Sequence, residues 1–366
     1  MEPLPSKDKE SQQNKPTPED AGALVSMTSL DHERKAFVQL SPSGFRIRHP
    51  PPPNELHTYI TPNSHLFQTS HMGIPLIKEP SYHLVVEGLV PRPFSVTLEQ
   101  LKSLPATTIT AFHECFGSPL KPPLENCLRI GNVEWTGVKL SYLLAHAGLA
   151  PSNINSEHFI WSEGLDRGTF AGVEADRYQK DLPMSKAMKS EVIVAYALNG
   201  EPLERERGGP VRLVVPGWFG TNSVKWLCKL SVRNSRAPGP YTTMFYNVVE
   251  PDSQRTRPVW EVNVNSMIVQ PRSGEVIVGP SSLVWGWAWA DDGVKNVHVM
   301  AEGDQDWREA VVDDRVDHGW QKFEIKLEMP VGRQTVVAKA TSFGGAMQPL
   351  EGWRNHAHHV HVSRTE

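Results

Sequence analysis

Cys115 is the residue whose type and setting most directly suggest chemistry. It ends a strand-like run that starts at residue 109, and Gly117, Ser118 and Pro119 form a turn just after it, which places the thiol at the mouth of a loop. A cysteine in this position either packs as a small apolar side chain or serves as a thiolate ligand to a soft or high-valent metal, with His113 and backbone amides lowering the thiol pKa. The local sequence leaves both alternatives open.

Motifs of several common enzyme classes are absent. The sequence has no GxGxxG before a helix, no P-loop, no CxxC, no HExxH and no GxSxG. Four histidines cluster near the C-terminus, namely His356, His358, His359 and His361. No acidic residue or cysteine adjoins them, so we do not expect a metal site there.

Length and charge narrow the class of protein. The 366 residues suffice for two domains of ordinary size, and 37 Lys and Arg against 41 Asp and Glu give a net charge of −4. This balance does not support a nucleic-acid-binding protein, and no run approaches the roughly 18 apolar residues of a membrane span. With three cysteines and no secretory signal or transit pattern, we expect a soluble, cytoplasmic protein.

The hydrophobic pattern divides the chain into four segments. Residues 1–25 are polar and charged and are expected to form a disordered tail. Residues 26–235 mix buried strand runs with short helices, which predicts an α+β domain. Residues 236–260 are rich in proline and are expected to form a linker, and residues 261–366 contain six short strand runs typical of a β-sandwich.

Two helices are predicted inside the first domain. Thr97 is expected to cap a short helix that begins after it. Residues 138–148 have helical spacing of apolar residues and end on Gly148, a common stop signal.

A series of motifs runs through the chain in a fixed order. They are FQTSHMGIP at 67–75, CFG at 115–117, IGNVEWTGV at 130–138, YQKDLP at 178–183, YALNGEPL at 196–203, GPVRLVVPG at 209–217, VKWL at 224–227, VWGWAW at 284–289 and WREA at 307–310. In this order they resemble the sulfite oxidase family of molybdenum enzymes, and the resemblance covers roughly residues 60–362.

The resemblance implies a fold, a cofactor and a set of site residues. The fold is a mixed α+β molybdopterin-binding domain followed by an immunoglobulin-like β-sandwich dimerisation domain. The activity is a two-electron oxygen-atom transfer at molybdenum held by molybdopterin, with Cys115 as the metal ligand. Further catalytic residues are Tyr246, with Tyr241 as its rival, and Arg354. The implied cofactor-binding residues are Ser70, His71, Asp166, Arg207, Arg212, Ser223 and Lys225.

Elementary chemistry agrees with part of this assignment. A pterin cofactor ends in a phosphate, which requires fixed cations, and Arg212 and Lys225 each lie beside a glycine-containing turn. His71 offers ring nitrogens to the same ligand. Trp135 and Trp226 are expected to be core residues instead.

The chain departs from the family where sulfite would bind. Family arginines are replaced by Thr69, Pro119 and Leu120, and the loop that holds Arg354 is shortened, so its role as a substitute stays open. A buried dianion without these cations is costly. We therefore predict that sulfite is a poor substrate or not the substrate, and that the pocket near Phe116 and Trp218 takes a less charged, more apolar molecule. Lys121 and Arg207 could restore positive charge.

The resemblance also implies partners. We expect a homodimer formed through the C-terminal sandwich. No haem-binding module fits the first 60 residues, so the electron acceptor would be a separate cytochrome, a flavoprotein or oxygen. The alternative is a protein without catalytic activity that uses the same scaffold for cofactor binding or protein interaction.

Overall fold

Strands dominate the protein. The computed structural model describes residues 37–118, 128–150, 154–249, 255–301, 306–351 and 355–366, so the tail expected over 1–25 lies outside the described part. The α-helices of that part are α1 (Leu98–Ser103), α2 (Leu140–His146), α3 (Met184–Ala187) and α4 (Pro240–Thr243). Because these helices are few and short, the α+β description is not confirmed. None of the described helices is long and apolar enough to cross a bilayer.

The first 18 described strands build two main sheets and several ribbons. They are β1 (Phe37–Ser43), β2 (Arg46–Arg48), β3 (Gln68–Ser70), β4 (Gly73–Ile77), β5 (His83–Gly88), β6 (Phe94–Thr97), β7 (Ala106–Glu114), β8 (Ile130–Lys139), β9 (Phe159–Gly164), β10 (Gly168–Phe170), β11 (Val173–Ala175), β12 (Gln179–Pro183), β13 (Ile193–Leu198), β14 (Glu201–Pro202), β15 (Arg212–Val214), β16 (Leu227–Arg233), β17 (Asn247–Val249) and β18 (Thr256–Pro258). One sheet has the order β12-β9-β16-β5-β6 and the other β14-β13-β8-β7, with β15 added on β13. The pairs β1-β4, β2-β3, β10-β11 and β17-β18 form ribbons.

The predicted start of helix α1 is confirmed, whereas helix α2 begins later than predicted. Thr97 caps α1 with a complete capping box, because its hydroxyl accepts from the Gln100 N–H and the Gln100 side chain accepts from the Thr97 N–H. The helix expected over 138–148 begins only at Leu140. Val138 belongs to β8, where it pairs with Val194 of β13 and is fully buried, so sheet pairing outweighs the helical spacing there.

The C-terminal part consists of two sheets around one core. Its strands are β19 (Asn265–Gln270), β20 (Val276–Val278), β21 (Ser281–Trp289), β22 (Val294–Ala301), β23 (Arg308–Glu309), β24 (Val311–Val312), β25 (Gln321–Glu328), β26 (Gly332–Ser342) and β27 (His358–Thr365). The sheet orders are β19-β21-β25-β24 and β20-β27-β26-β22-β23. Buried side chains from both sheets, such as Val284, Phe323 and Val336, form a common apolar cluster, as expected for a β-sandwich.

The C-terminal sheets support the end of β7. Trp289 of β21 donates its indole N–H to the carboxylate of Glu114, the last residue of β7, at 2.8 Å. Thr110 of the same strand donates its backbone N–H to Asp317 at 3.1 Å. These contacts hold the strand that leads into Cys115, so the C-terminal part helps to position the candidate site.

Candidate active site

The Cys115 turn is fixed by hydrogen bonds to the segment that enters β8. The N–H of Cys115 donates to the carbonyl of Arg129 at 2.9 Å, and the N–H of Ser118 donates to the carbonyl of Cys115 at 3.0 Å. The Ser118 hydroxyl in turn accepts from the Arg129 N–H at 2.6 Å. The thiol is partly exposed and lies 3.8 Å from the hydroxyl of Thr69. It therefore faces an accessible space and is not sealed in the core.

That space is a cavity that is partly open to solvent, and its empty volume of about 720 Å³ includes part of that solvent. It gathers residues from distant parts of the chain, because the ends of β3 and β7 meet the loops around β15 and β17 there. Predicted site residues that line it are His71, Cys115, Asp166, Arg207, Arg212, Ser223, Lys225 and Tyr246. Ser70 is buried just behind the wall, where its hydroxyl accepts from Lys225 Nζ at 3.1 Å. Arg354 lies outside the described residues, as do Pro119, Leu120 and Lys121.

Two cations line the cavity, of which Arg212 is buried and Lys225 is half-buried. Arg212 donates to the carbonyls of Arg207 and Ser223 at 2.9 and 3.0 Å, and its guanidinium stacks 4.8 Å above the ring of Trp135. Lys225 donates to the carbonyl of Thr69 at 2.7 Å. No carboxylate in the described part forms an ion pair with either cation. Buried charges held only by neutral oxygens favour an anionic ligand.

Trp135 and Trp226 are core residues, as predicted. Both side chains are fully buried. Trp226 lies under the ammonium of Lys225 at 4.4 Å from the ring centroid, just as Trp135 lies under Arg212. The core thus presents aromatic faces to the cations, which offsets part of their loss of water.

Arg207 has a second task besides facing the cavity. Its guanidinium donates to the carbonyls of Asn63, Leu66 and Phe67, at 2.6, 2.7 and 2.5 Å. These carbonyls precede β3, so Arg207 also anchors the segment that carries Thr69 to the cavity.

Burial changes the protonation of the groups in the cavity. It raises the pKa of Asp166, against the attraction of Lys225, and it lowers the pKa of Lys225, with repulsion from Arg212 adding to the effect. Burial, together with the nearby charges of Lys225 and Arg129, lowers the pKa of His71 to about 3. His71 is therefore neutral near pH 7. Burial likewise keeps His113 neutral by lowering its pKa, so His113 does not supply the positive charge expected to activate the thiol.

Tyr246, and not its rival Tyr241, reaches the cavity. The Tyr246 hydroxyl lies 2.5 Å from His71 Nε2, and its backbone has a φ of +55°. Burial and the nearby thiol of Cys115 raise the pKa of Tyr246, so the phenol stays protonated. Tyr241 packs against Tyr178, with ring centroids 4.3 Å apart, and does not line the cavity.

The cavity suits a ligand that carries many donors and acceptors. Within the described residues, Asp166 Oδ1, Arg207 Nε and Arg212 Nε are buried without a hydrogen-bond partner. Buried polar atoms are normally paired, so three such atoms on one cavity wall point to a polar ligand. A pterin with its phosphate offers the complementary groups, and the thiol of Cys115 in the same cavity can ligate a metal. The residues present therefore fit a molybdenum-pterin cofactor.

Arg129 is a buried residue near Cys115 that was not among the residues predicted from the sequence. This residue is only 3% exposed, and its guanidinium reaches the Gly117 carbonyl and lies 3.4 Å from the Thr69 hydroxyl. In the sequence Arg129 is simply a charged residue directly before the apolar start of β8. A charged side chain in such a position is usually exposed to solvent, so nothing in the sequence predicted its burial.

One further prediction about the surroundings, that Trp218 lies at the pocket, is wrong. Phe116 lines the cavity as predicted, but Trp218 does not, because it stacks on Trp260 with ring centroids 5.0 Å apart. Of the C-terminal histidines, His358 is held by a hydrogen bond from the Ile268 N–H at 3.0 Å, within the terminal strand. No cluster of metal-ligating side chains occurs in the described ranges.

Comparisons with known proteins show similarity to molybdopterin-binding oxidoreductases. Residues 71–241 match the oxidoreductase molybdopterin binding domain. Sulfite oxidase of Gallus gallus is 30% identical over 327 residues, which cover 81% of this chain and 70% of the chicken protein. Mitochondrial sulfite oxidase of Homo sapiens is 30% identical over 350 residues, covering 86% of this chain and 63% of the human protein. This chain thus spans less than two thirds of the human relative.

A solved structure extends the similarity to almost the whole chain. The sulfane dehydrogenase SoxCD from Paracoccus pantotrophus superposes with a TM-score of 0.73 at 27% identity, over 99% of this chain and 95% of that chain. Similarity of this extent in fold and sequence agrees with the cavity that brings Arg212 and Lys225 together with Cys115. The chain belongs to the sulfite oxidase family of molybdopterin-binding oxidoreductases.

Proposed function

We propose that this protein is a molybdenum-cofactor-dependent enzyme that catalyses two-electron oxygen-atom transfer. The observation that carries the proposal is that one cavity brings together the thiol of Cys115, the buried cation Arg212 and the half-buried cation Lys225. When bound, the cofactor supplies the oxygen-atom transfer and stores the two electrons. The protein supplies the metal ligand, the cofactor anchors and the shape of the substrate pocket.

Each cavity residue has a proposed task. Cys115 ligates the metal. Arg207, Arg212 and Lys225 bind the anionic end of the cofactor, and Ser70, His71, Asp166 and Ser223 hydrogen-bond to its polar ring. Tyr246 lines the same cavity as Cys115, and its phenol is protonated and lies 2.5 Å from Nε2 of neutral His71. We assign to it the donation of a hydrogen bond to the bound substrate. Arg354 stays a candidate for a further substrate contact.

We propose that sulfite is not the preferred substrate. The relatives are named as a sulfite oxidase and a sulfane dehydrogenase, so the family accommodates more than one sulfur substrate. In this chain Thr69 replaces an arginine and stands 3.8 Å from the thiol, and Phe116 adds an apolar surface to the cavity. A neutral hydroxyl offers less to a dianion than a guanidinium does.

The organisation of the whole protein is part of the proposal. We propose a catalytic domain over 26–235, a linker over 236–260 and an immunoglobulin-like dimerisation domain over 261–366. The electron acceptor is a separate cytochrome, flavoprotein or oxygen, and the protein works in the cytoplasm as a homodimer. Sedimentation of the purified chain tests the dimer directly.

Metal analysis and a cysteine exchange test the proposed function. Protein from a host that makes the cofactor should contain close to one molybdenum per chain. Cys115→Ser should lose turnover and change the optical spectrum of the metal centre. Cys228→Ser is the matched control, because Cys228 is buried against the Glu163 carbonyl and does not line the cavity. A molybdenum-free wild type, or an active Cys115→Ser variant, would refute the proposal and favour a protein without catalytic activity.

Steady-state kinetics test the substrate. We expect sulfite to be turned over slowly or with a KM far above the micromolar range, because the replaced arginines no longer bind its second charge. A screen of less charged sulfur compounds, followed by bleaching of the metal spectrum, should identify a better substrate. Fast turnover of sulfite at micromolar KM would contradict this expectation.

A further inference from the structure

Lys180 is a buried cation that belongs to none of the groups assigned above. Its side chain is fully buried, and it does not line the cavity. In the part of the chain that the structure describes, Lys180 forms no ion pair. The carboxylate of the adjacent Asp181 pairs instead with Arg236 at 2.6 Å, and successive side chains of a strand point to opposite faces. A buried charge without an ion pair is costly, so other contacts must hold this one.

Two contacts of the Lys180 ammonium involve the segment that carries Tyr246. Its Nζ donates to the carbonyl of Tyr241 at 3.0 Å and lies 5.7 Å from the centroid of the Tyr246 ring. An ammonium within about 6 Å of a ring centroid is attracted to the ring face, and more strongly where both are shielded from water. Lys180 thus binds this segment both at its backbone and at an aromatic ring.

Tyr246 has an uncommon backbone conformation. Its φ of +55° lies in the left-handed region, which a bulky residue rarely adopts. The N–H of Val259 fixes the main chain by donating to the Tyr246 carbonyl at 2.9 Å. The direction of the side chain is decided separately, and it brings the hydroxyl to within 2.5 Å of His71 Nε2. The Lys180 ammonium contacts the ring itself, so it can act on this direction.

We propose that Lys180 is a positioning residue for Tyr246. Its charge holds the ring in the direction that brings the hydroxyl to His71 at the cavity. The inference rests on the proposed function, because the position of the ring affects turnover only if Tyr246 contacts the substrate as assigned above. Lys180 is charged near pH 7, since burial lowers its pKa only to about 8.

Heteronuclear NMR of the full-length chain, isotope-labelled at its histidine rings, tests the inference near pH 7. The nitrogen resonance of His71 Nε2, assigned by its absence in His71→Gln, reports the contact with the Tyr246 hydroxyl. Tyr246→Phe lacks the hydroxyl and defines the position of this resonance without the contact. In Lys180→Met the resonance should move most of the way to that position. Lys180→Arg keeps a cation and should restore at least half of the shift.

Lys186 provides a matched control. It donates to the carbonyl of Pro216 at 2.9 Å and lies 5.6 Å from the centroid of the Trp218 ring, but neither Lys186 nor Trp218 lines the cavity. Lys186→Met should therefore leave the His71 resonance at its wild-type position. A lysine that only stabilised the fold would change the free energy of unfolding but would not move this resonance in the folded protein.

Kinetics of the molybdenum-loaded enzyme, with sulfite as the probe, give a second readout. Lys180→Met and Tyr246→Phe should each lower kcat/KM by about two-fold to ten-fold, the range for one neutral hydrogen bond. The double variant should lose no more than Tyr246→Phe alone, because the lysine acts through the tyrosine. Lys186→Met should keep the wild-type kcat/KM.

The outcomes separate this inference from the proposed function. An unmoved His71 resonance in Lys180→Met, or additive losses of kcat/KM in the double variant, would overturn the role of Lys180. Lys180→Gln removes the charge but keeps a neutral donor, and it provides the same test if Lys180→Met does not fold. Molybdenum is measured in every preparation. A wild type without molybdenum would refute the proposed function, whereas the His71 resonance would still decide whether Lys180 positions Tyr246.

Discussion

Replacement of Arg207 by methionine should destabilise the protein even without its cofactor. Arg207 was predicted from the sequence as a cofactor-binding residue, and in the structure its guanidinium also donates to the carbonyls of Asn63, Leu66 and Phe67. These residues lead into β3, which carries Thr69 and Ser70. Loss of the guanidinium should therefore loosen the segment on which the cavity wall is built.

The size of the effect follows from the remaining partners. Arg48 also donates to the carbonyls of Asn63 and Leu66, at 3.1 Å each, so both keep a donor in the variant. The Phe67 carbonyl loses its charged donor, and a buried polar group left unpaired costs about 1–3 kcal/mol. The weakened bonds at the other two carbonyls add roughly 1 kcal/mol each, whereas removal of a desolvated charge offsets part of this. We expect a net loss of about 3 kcal/mol.

Urea unfolding of the apoprotein, followed by tryptophan fluorescence, measures this loss. Arg205→Met is the matched control, because Arg205 lies in the same short helical turn and pairs with Glu206 at the surface, with side chains 38% and 40% exposed. Such a pair contributes less than about 1 kcal/mol. An apoprotein of Arg207→Met as stable as that control would refute the anchoring role and leave Arg207 with a task in cofactor binding alone.

Three further predictions concern the supports of the cavity. Trp289→Phe removes the indole donor from the buried carboxylate of Glu114 and should lower the free energy of unfolding by about 1–3 kcal/mol in urea titration; an unchanged midpoint would contradict this. Gly208→Ala should reduce bound molybdenum by more than half, because its φ is +102° and a Cβ there would lie 2.7 Å from Lys225 Cγ, whereas Gly172→Ala, at φ +80° in open space, should keep its metal. Burial lowers the pKa of Lys180 to about 8, below its ordinary 10.5, so the folded chain holds this proton less tightly than the unfolded chain. Burying the charged lysine therefore lowers the free energy of unfolding by its full amount below pH 8, and this loss disappears as the pH rises to 10.5. Over that range the free energy of unfolding of the wild type should rise by up to about 3 kcal/mol relative to that of Lys180→Met. Parallel curves of stability against pH for the two proteins would contradict this prediction.

The sequence by itself determined the family, and it predicted most of the residues that line the cavity, Cys115 among them. Most of these residues lie in short continuous motifs, such as GPVRLVVPG at 209–217. Within such a motif, the direction of each side chain relative to its strand does not depend on how the strand packs. The strand runs of the C-terminal part were predictable for a similar reason, since alternating residues such as Val297 and Val299 must face one core. Thr97 likewise capped its helix as predicted, because a capping box involves only neighbouring residues.

Only the tertiary structure decided which distant side chains meet. The sequence could not decide whether Tyr246 or Tyr241 reaches the cavity. In the structure Tyr246 has a left-handed backbone conformation, and its hydroxyl lies next to His71. Arg129 has no motif of its own, and it reaches Thr69 because strand pairing folds the start of β8 back onto the Cys115 turn. Contacts between residues far apart in the chain depend on the packing of whole sheets, and a local pattern contains no information about that packing.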